Sequence, residues 1–171
     1  MGISVEMFCK NYKANLKAKD KTFEDFINKH ITTQYIDFVE KNVYCDKIIE
    51  SCCYINNDDD DRKIIKINST QRYLFFIMKL ISLYTDIEFG DEIVTAYDEL
   101  NKIGAINVLI AAIPESEYTE FSTILNMKMD DFRDNVYGIT PMLYNFKESF
   151  SISDEIISSA LELLQEQNKN E

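Results

Sequence analysis

Four consecutive aspartates, Asp58, Asp59, Asp60 and Asp61, form the densest cluster of chemistry-bearing side chains in the sequence. Such a run invites three readings: a cation site, an imitation of a phosphate backbone, or a solvated joint. An EF-hand loop needs glycine at its sixth position and a bidentate glutamate at its twelfth. "DDDDRKIIKINS" has Lys63 and Ser69 there, so only weak, adventitious Ca²⁺ or Mg²⁺ binding stays open. Phosphate mimicry asks for carboxylates spread over a rigid face, whereas these four are crowded into one segment. Like charges in a row repel, and Asp is a poor helix former, so the run reads as a polar joint. As the most acidic local feature, the four aspartates are also the candidate interaction surface.

The other reactive groups are scattered. His30 is the only histidine and is capable of acid or base work. No cysteine, serine or carboxylate accompanies it in a recognisable motif, so it is expected to be a half-buried structural residue. Cys9, Cys45, Cys52 and Cys53 lack metal-ligand spacing and are expected as free thiols, with Cys45 and Cys52 on one helical face beside Ile48 and Ile49. No close-set glycines form a phosphate loop, and neither a G-x-S-x-G turn nor an H-E-x-x-H motif occurs. With 30 acidic residues, a spatial carboxylate pair is not excluded, but spacing singles none out. The expectation is no catalytic residue, no cofactor and no metal.

A net charge of −12 disfavours direct nucleic-acid binding, because that affinity comes from Lys and Arg neutralising phosphates. It leaves open a basic partner, including the nucleic-acid groove of another protein. The N-terminal segment lacks the basic start and apolar stretch of a secretory signal, and no apolar run reaches the ~20 residues needed to cross a bilayer. No membrane attachment is expected.

The elements that would position these groups are helical. Among 171 residues there are 11 Phe and 10 Tyr, enough apolar material for a core, but only 4 Gly and 2 Pro, a poor supply for the turns of an all-β fold. Apolar stripes at helical spacing predict an all-α compact bundle of about seven helices, with one short β-hairpin around residues 53–68. Ser4 caps the first helix, whose stripe is Val5, Phe8, Cys9, Tyr12 and Leu16. "KTFEDFINKHI" makes the second. The third is read from Gln34 to Cys53 through Tyr35, Phe38, Val39, Asn42, Cys45, Ile48, Ile49 and Cys52. Asn68 or Ser69 caps a helix over about 70–85 that is apolar on most of its circumference and belongs in the bundle centre. Later helices follow Asp91, Gly104 and Pro114, with Glu115, Glu117 and Glu120 favouring the positive pole of the last of these. Thr140-Pro141 and Ser153 restart two more. The whole chain reads as a single helical domain, 1–171, with sublobes 1–55 and 68–171 joined by an acidic loop, 56–63.

The segments "INSTQRYLFFIMKLISLYTDIEF" and "AAIPESEYTEFSTILNMKMDDF" resemble small phage and prophage proteins of AT-rich bacterial viruses. The resemblance defines no catalytic motif and transfers no functional residue. It implies a role in a phage cycle, in the cytoplasm of a bacterial host or in the virion. The expected function is therefore non-catalytic: a head, neck or tail component or an assembly chaperone, acting through exposed Tyr and Phe on viral or host protein partners, with homo-oligomerisation also open. The alternative is a host-defence antagonist, resembling anti-CRISPR inhibitors, whose acidic surface blocks a nucleic-acid channel of its target.

Overall fold

The computed structural model describes residues 2–17, 21–57 and 63–137. It divides into two compact units, Met1–Asn126 and Met127–Glu171. Of the second unit, the described part is the end of a helix, where Arg133 Nη2 and Asp130 Oδ1 lie 3.0 Å apart one turn from each other.

The first unit is an all-α bundle trimmed with short strands. In order it comprises β1 (Ile3–Ser4), α1 (Val5–Leu16), α2 (Lys21–His30), α3 (Phe38–Cys52), β2 (Cys53–Asn57), β3 (Lys63–Ile67), α4 (Ser69–Tyr84), β4 (Ile87–Glu88), α5 (Ile93–Lys102), α6 (Ala105–Ala112) and the start of α7 (Glu115–Tyr137). The hairpin expected around 53–68 is present: β2 and β3 pair antiparallel, from Cys53 opposite Ile67 to Asn57 opposite Lys63. A second, two-residue pairing joins β1 to β4 in parallel, Ile3 opposite Ile87, and ties the N-terminus to the end of α4.

Helix boundaries follow side-chain capping, which satisfies backbone donors that have no partner inside the helix. Ser4 accepts from Met7 N, Asp37 from Glu40 N and Asn68 from Gln71 N. Pro114 precedes α7, where its carbonyl accepts from Glu117 N and Tyr118 N. Gly104 carries φ +71°, the one left-handed backbone turn at a glycine among the described residues, and reverses the chain between α5 and α6.

At the centre lies α4, whose Phe76, Ile77, Met78, Leu80, Ile81 and Tyr84 are all buried. Helix α3, before the acidic segment, packs on α4, after it, and one core joins residues from Val5 to Leu125. Residues on both sides of the acidic run thus share a single apolar interior.

Three expectations are corrected here. The third helix begins at Phe38 and not near Gln34, because the extended backbone and capping carboxylate of Asp37 start it there. Its buried stripe is Lys41, Cys45, Ile48 and Cys52, while Tyr35, Phe38 and Val39, expected inside, are exposed. Leu16, expected on the first stripe, is also exposed.

Candidate protein-interaction surface

The connection between α2 and α3, residues 31–37, carries the features that best suit a binding role. A loop is ordinarily the least constrained part of a fold. This one is tied at both ends and in its middle. At its start, His30 Nδ1 lies 2.7 Å from Asp86 Oδ1, and Asp86 N donates back to the His30 carbonyl at 3.1 Å. Ile31 bridges Thr85, and Thr32 N donates to the Tyr84 carbonyl at 2.9 Å. Near its end, Ile36 N donates to Glu117 Oε2 at 3.0 Å.

Glu117 is the hub of a buried polar network. The same Oε2 accepts from Tyr84 Oη at 2.6 Å and from Lys41 Nζ at 2.9 Å, so one oxygen gathers donors from the loop, α3 and α4. Lys41 also pairs with Glu120, one turn further along α7, and its ammonium lies 5.2 Å from the Tyr35 ring centroid. Lys41 and Tyr84 are fully enclosed, and Glu117 is nearly so. Glu120 reaches solvent. Among the described residues no buried side-chain nitrogen or oxygen lacks a partner, as the cost of a buried unpaired group requires.

The electrostatics follow from that geometry. Burial by itself would raise the Glu117 carboxyl, but hydrogen bonds from Tyr84, Lys41 and Ile36 N outweigh it and hold the group below the ordinary carboxylate range. Burial would lower the Lys41 ammonium, yet its bonds to Glu120 and Glu117 carry it above the ordinary lysine value. Burial, reinforced by the Glu117 carboxylate, pushes the Tyr84 phenol up. Across the neutral range the set is therefore cation, anion and neutral phenol. None of the three is poised to exchange a proton near pH 7, so the network acts as a clamp.

On the outside of this clamp lies an apolar patch. Tyr35, Phe38, Val39 and Val43 expose 67%, 57%, 69% and 45% of their surface, within nine residues of chain from Tyr35 to Val43. Asp37 and Glu40, also exposed, stand among them. Tyr35 belongs to both layers, with its ring covering the Lys41 ammonium while most of the side chain faces solvent.

No family model, curated protein or solved structure matches this chain.

The residues singled out from the sequence fare unevenly. Asp58 to Asp61 lie outside the described residues. His30 is buried, and a carboxylate that no local motif announces, Asp86, is brought to it from 56 positions away by the pairing of residues 31 and 85. Its ring is packed edge-on against Phe8 and Phe26, at 5.2 and 4.8 Å between centroids. Among the described residues the side-chain hydrogen bond of the ring is the one to Asp86. None of the four cysteines is in a disulfide; Cys9, Cys45 and Cys52 are buried and Cys53 is half-buried, with Cys52 Sγ and Cys53 Sγ 3.8 Å apart. Among the described residues no three metal-ligating side chains converge, and no helix is long and apolar enough to cross a membrane.

Sequence reasoning missed Lys41 and Glu117. Glu117 reads at first as a solvated acid at a helix N-terminus, whereas it is buried. A signal was present: Lys41 is in phase with Cys45, Ile48 and Cys52, and Glu117 with Phe121 and Ile124. Opposite charges at core-facing phases of two helices mark a buried pair.

Proposed function

We propose that this chain is a non-catalytic binding module that works by protein contact through the Tyr35–Val43 surface. The observation that carries the reading is the combination of four exposed large apolar side chains, Tyr35 on the loop and Phe38, Val39 and Val43 on the start of α3, with a buried ion network that fixes both the loop and the helix. Scattered exposed hydrophobics need no explanation, but a cluster on an immobilised segment is the composition of a contact core. Holding the loop in one geometry before encounter lowers the ordering cost of association. The partner fitted to it has an apolar groove rimmed by Lys or Arg, complementary to Asp37 and Glu40 and to the overall charge of −12. The resemblance of residues 67–89 and 111–132 to phage proteins supports looking for that partner among head, neck or tail proteins or their assembly factors.

The test is affinity capture from phage-infected cells with the parent chain and with a Tyr35→Ser/Val39→Ser variant, followed by mass spectrometry. The reading expects a viral structural protein with the parent and its loss with the variant. Equal recovery by both chains overturns it. Size-exclusion chromatography with light scattering reports whether the patch is instead covered by a second copy.

The net charge favours a second reading, in which the target is a host-defence protein and the acidic surface occupies its nucleic-acid channel. That complex would weaken steeply between low and moderate salt and compete with DNA or RNA. Salt-independent binding rejects it.

A further inference from the structure

A groove of about 400 Å³ runs between α3 and α4. Its composition departs from the rest of this acidic chain. Phe75, Met78, Phe89 and Ile93 supply apolar walls, Ser51 and Ser82 add hydroxyls, and the charged residues lining it are two lysines, Lys47 and Lys79. No carboxylate lines it. Both ammoniums gather on one aromatic ring, Lys79 Nζ at 4.0 Å and Lys47 Nζ at 5.6 Å from the Tyr44 centroid. Among the described residues neither lysine makes an ion pair. The nearby acid, Glu40, accepts a hydrogen bond from the Tyr44 hydroxyl at 3.0 Å.

Glu40 offsets part of the positive field at Lys79, but burial and the Lys47 charge outweigh it, since two like charges held close without a directly paired carboxylate repel each other and, where half-buried, are poorly solvated. Such a pair is relieved by an anion from outside. Tyr44 offsets part of the cost through its ring face, but a quadrupole does not neutralise two charges. An apolar floor below the pair would seat a hydrocarbon or aryl body, the usual division of labour in a small-molecule site. Lys47 stands on α3 one turn beyond Val43 and Lys79 on α4, so the groove adjoins the end of the protein-contact surface and shares no lining residue with it.

We infer that the Lys47–Lys79 groove binds a small amphiphilic anion, its carboxylate or phosphate head between the two ammoniums and its apolar body along Phe75, Met78 and Phe89.

The full-length protein is titrated with sodium octanoate, octyl phosphate, octan-1-ol and sodium acetate, with amide and methionine-methyl NMR shifts as the readout. Saturable binding of octanoate or octyl phosphate is expected, with shifts centred on Met78 and Lys79, and the stronger of the two identifies the head group. Octanol and acetate, lacking head or tail, should bind roughly tenfold more weakly or worse. Lys79→Gln and Lys47→Gln should each weaken the anion by roughly tenfold. Lys47 is exposed, so its replacement leaves the fold intact and keeps the test valid if Lys79→Gln unfolds. Equal binding of octanol and octanoate, an unchanged affinity in Lys47→Gln, or shifts centred elsewhere overturns the assignment.

Discussion

Lys41 Nζ stands 2.9 Å from Glu117 Oε2, and the lysine carrying it has no surface exposed to solvent. Moving either charge out of water costs several kcal/mol, and their mutual attraction repays this only when the remaining donors and acceptors are also satisfied. Tyr84, Ile36 N and Glu120 do that here. A well-packed apolar pair would hold the helices together about as well. What it would not do is bind the backbone of the α2–α3 connection, which is why the pair bears on function.

Removing one partner should be far worse than removing both. Lys41→Met leaves a buried carboxylate without its cation and is expected to cost about 3–5 kcal/mol. Lys41→Met combined with Glu117→Leu should recover a large part of that loss, while freeing Ile36 N. Urea denaturation measures the stability. Hydrogen exchange at the Ile36 amide should accelerate in the double variant even where global stability returns.

The pH dependence has a defined sign at each end. The Glu117 carboxyl is held below its ordinary 4.5, so its contribution is full above that value and is lost as pH falls through the lowered one. The Lys41 ammonium is held above its ordinary 10.5, so its contribution is full below that value and disappears as pH rises through the raised one. Stability curves of the parent and of Lys41→Met/Glu117→Leu should therefore differ most at neutral pH and converge toward both extremes. A constant difference across the whole range would show that the pair carries no titrating stabilisation.

Breaking the second tether should loosen the loop with a smaller global penalty. Asp86→Asn keeps the shape but weakens the bond to His30, with an expected cost of about 1 kcal/mol because Asp86 is partly in contact with solvent. Amides of residues 31–33 should exchange faster, and those of α4 at Leu80 and Ile81 should not. Uniform acceleration would assign the pair to global stability alone.

Serine at Tyr35 and Val39 should leave the fold as stable as before, within about 0.5 kcal/mol, because both side chains face water. Thermal unfolding of the variant checks this, and a large loss would mean that the patch is structural.

Cysteine reactivity should follow burial. Cys9, Cys45 and Cys52 are enclosed, and burial, reinforced by the neighbouring Cys53, pushes the Cys52 thiol up to about 12. Alkylation of the native protein at pH 8 should reach the half-buried Cys53 first and the other three only on unfolding. Mass spectrometry of the labelled chain gives the order.

Much of the architecture was readable from residue types and spacing, because it rests on local physics. Caps at Ser4 and Asn68, the left-handed turn at Gly104 and the hairpin around 53–68 depend on residues close together in the chain. The central place of α4 was equally plain, since a helix apolar on most of its circumference has to be surrounded.

The candidate surface was not readable in the same way. A stripe from Tyr35 to Cys52 predicts Tyr35, Phe38 and Val39 inside; capping by Asp37 starts the helix later, and the face that turns inward contains Lys41. Which side chains are left outside depends on that rotation, and the rotation depends on α7 offering Glu117 and Glu120 to Lys41. Likewise Asp86 meets His30 only because residues 31 and 85 pair. Sequence by itself determined the order of the helices among the described residues and the caps at Ser4 and Asn68, since those interactions span a turn or two, while the helices read after Thr140-Pro141 and Ser153 lie outside the described residues. Tertiary structure decided which charges are buried, which aromatics are exposed and which lysines share a groove, because each depends on groups distant in the chain meeting at a few ångströms.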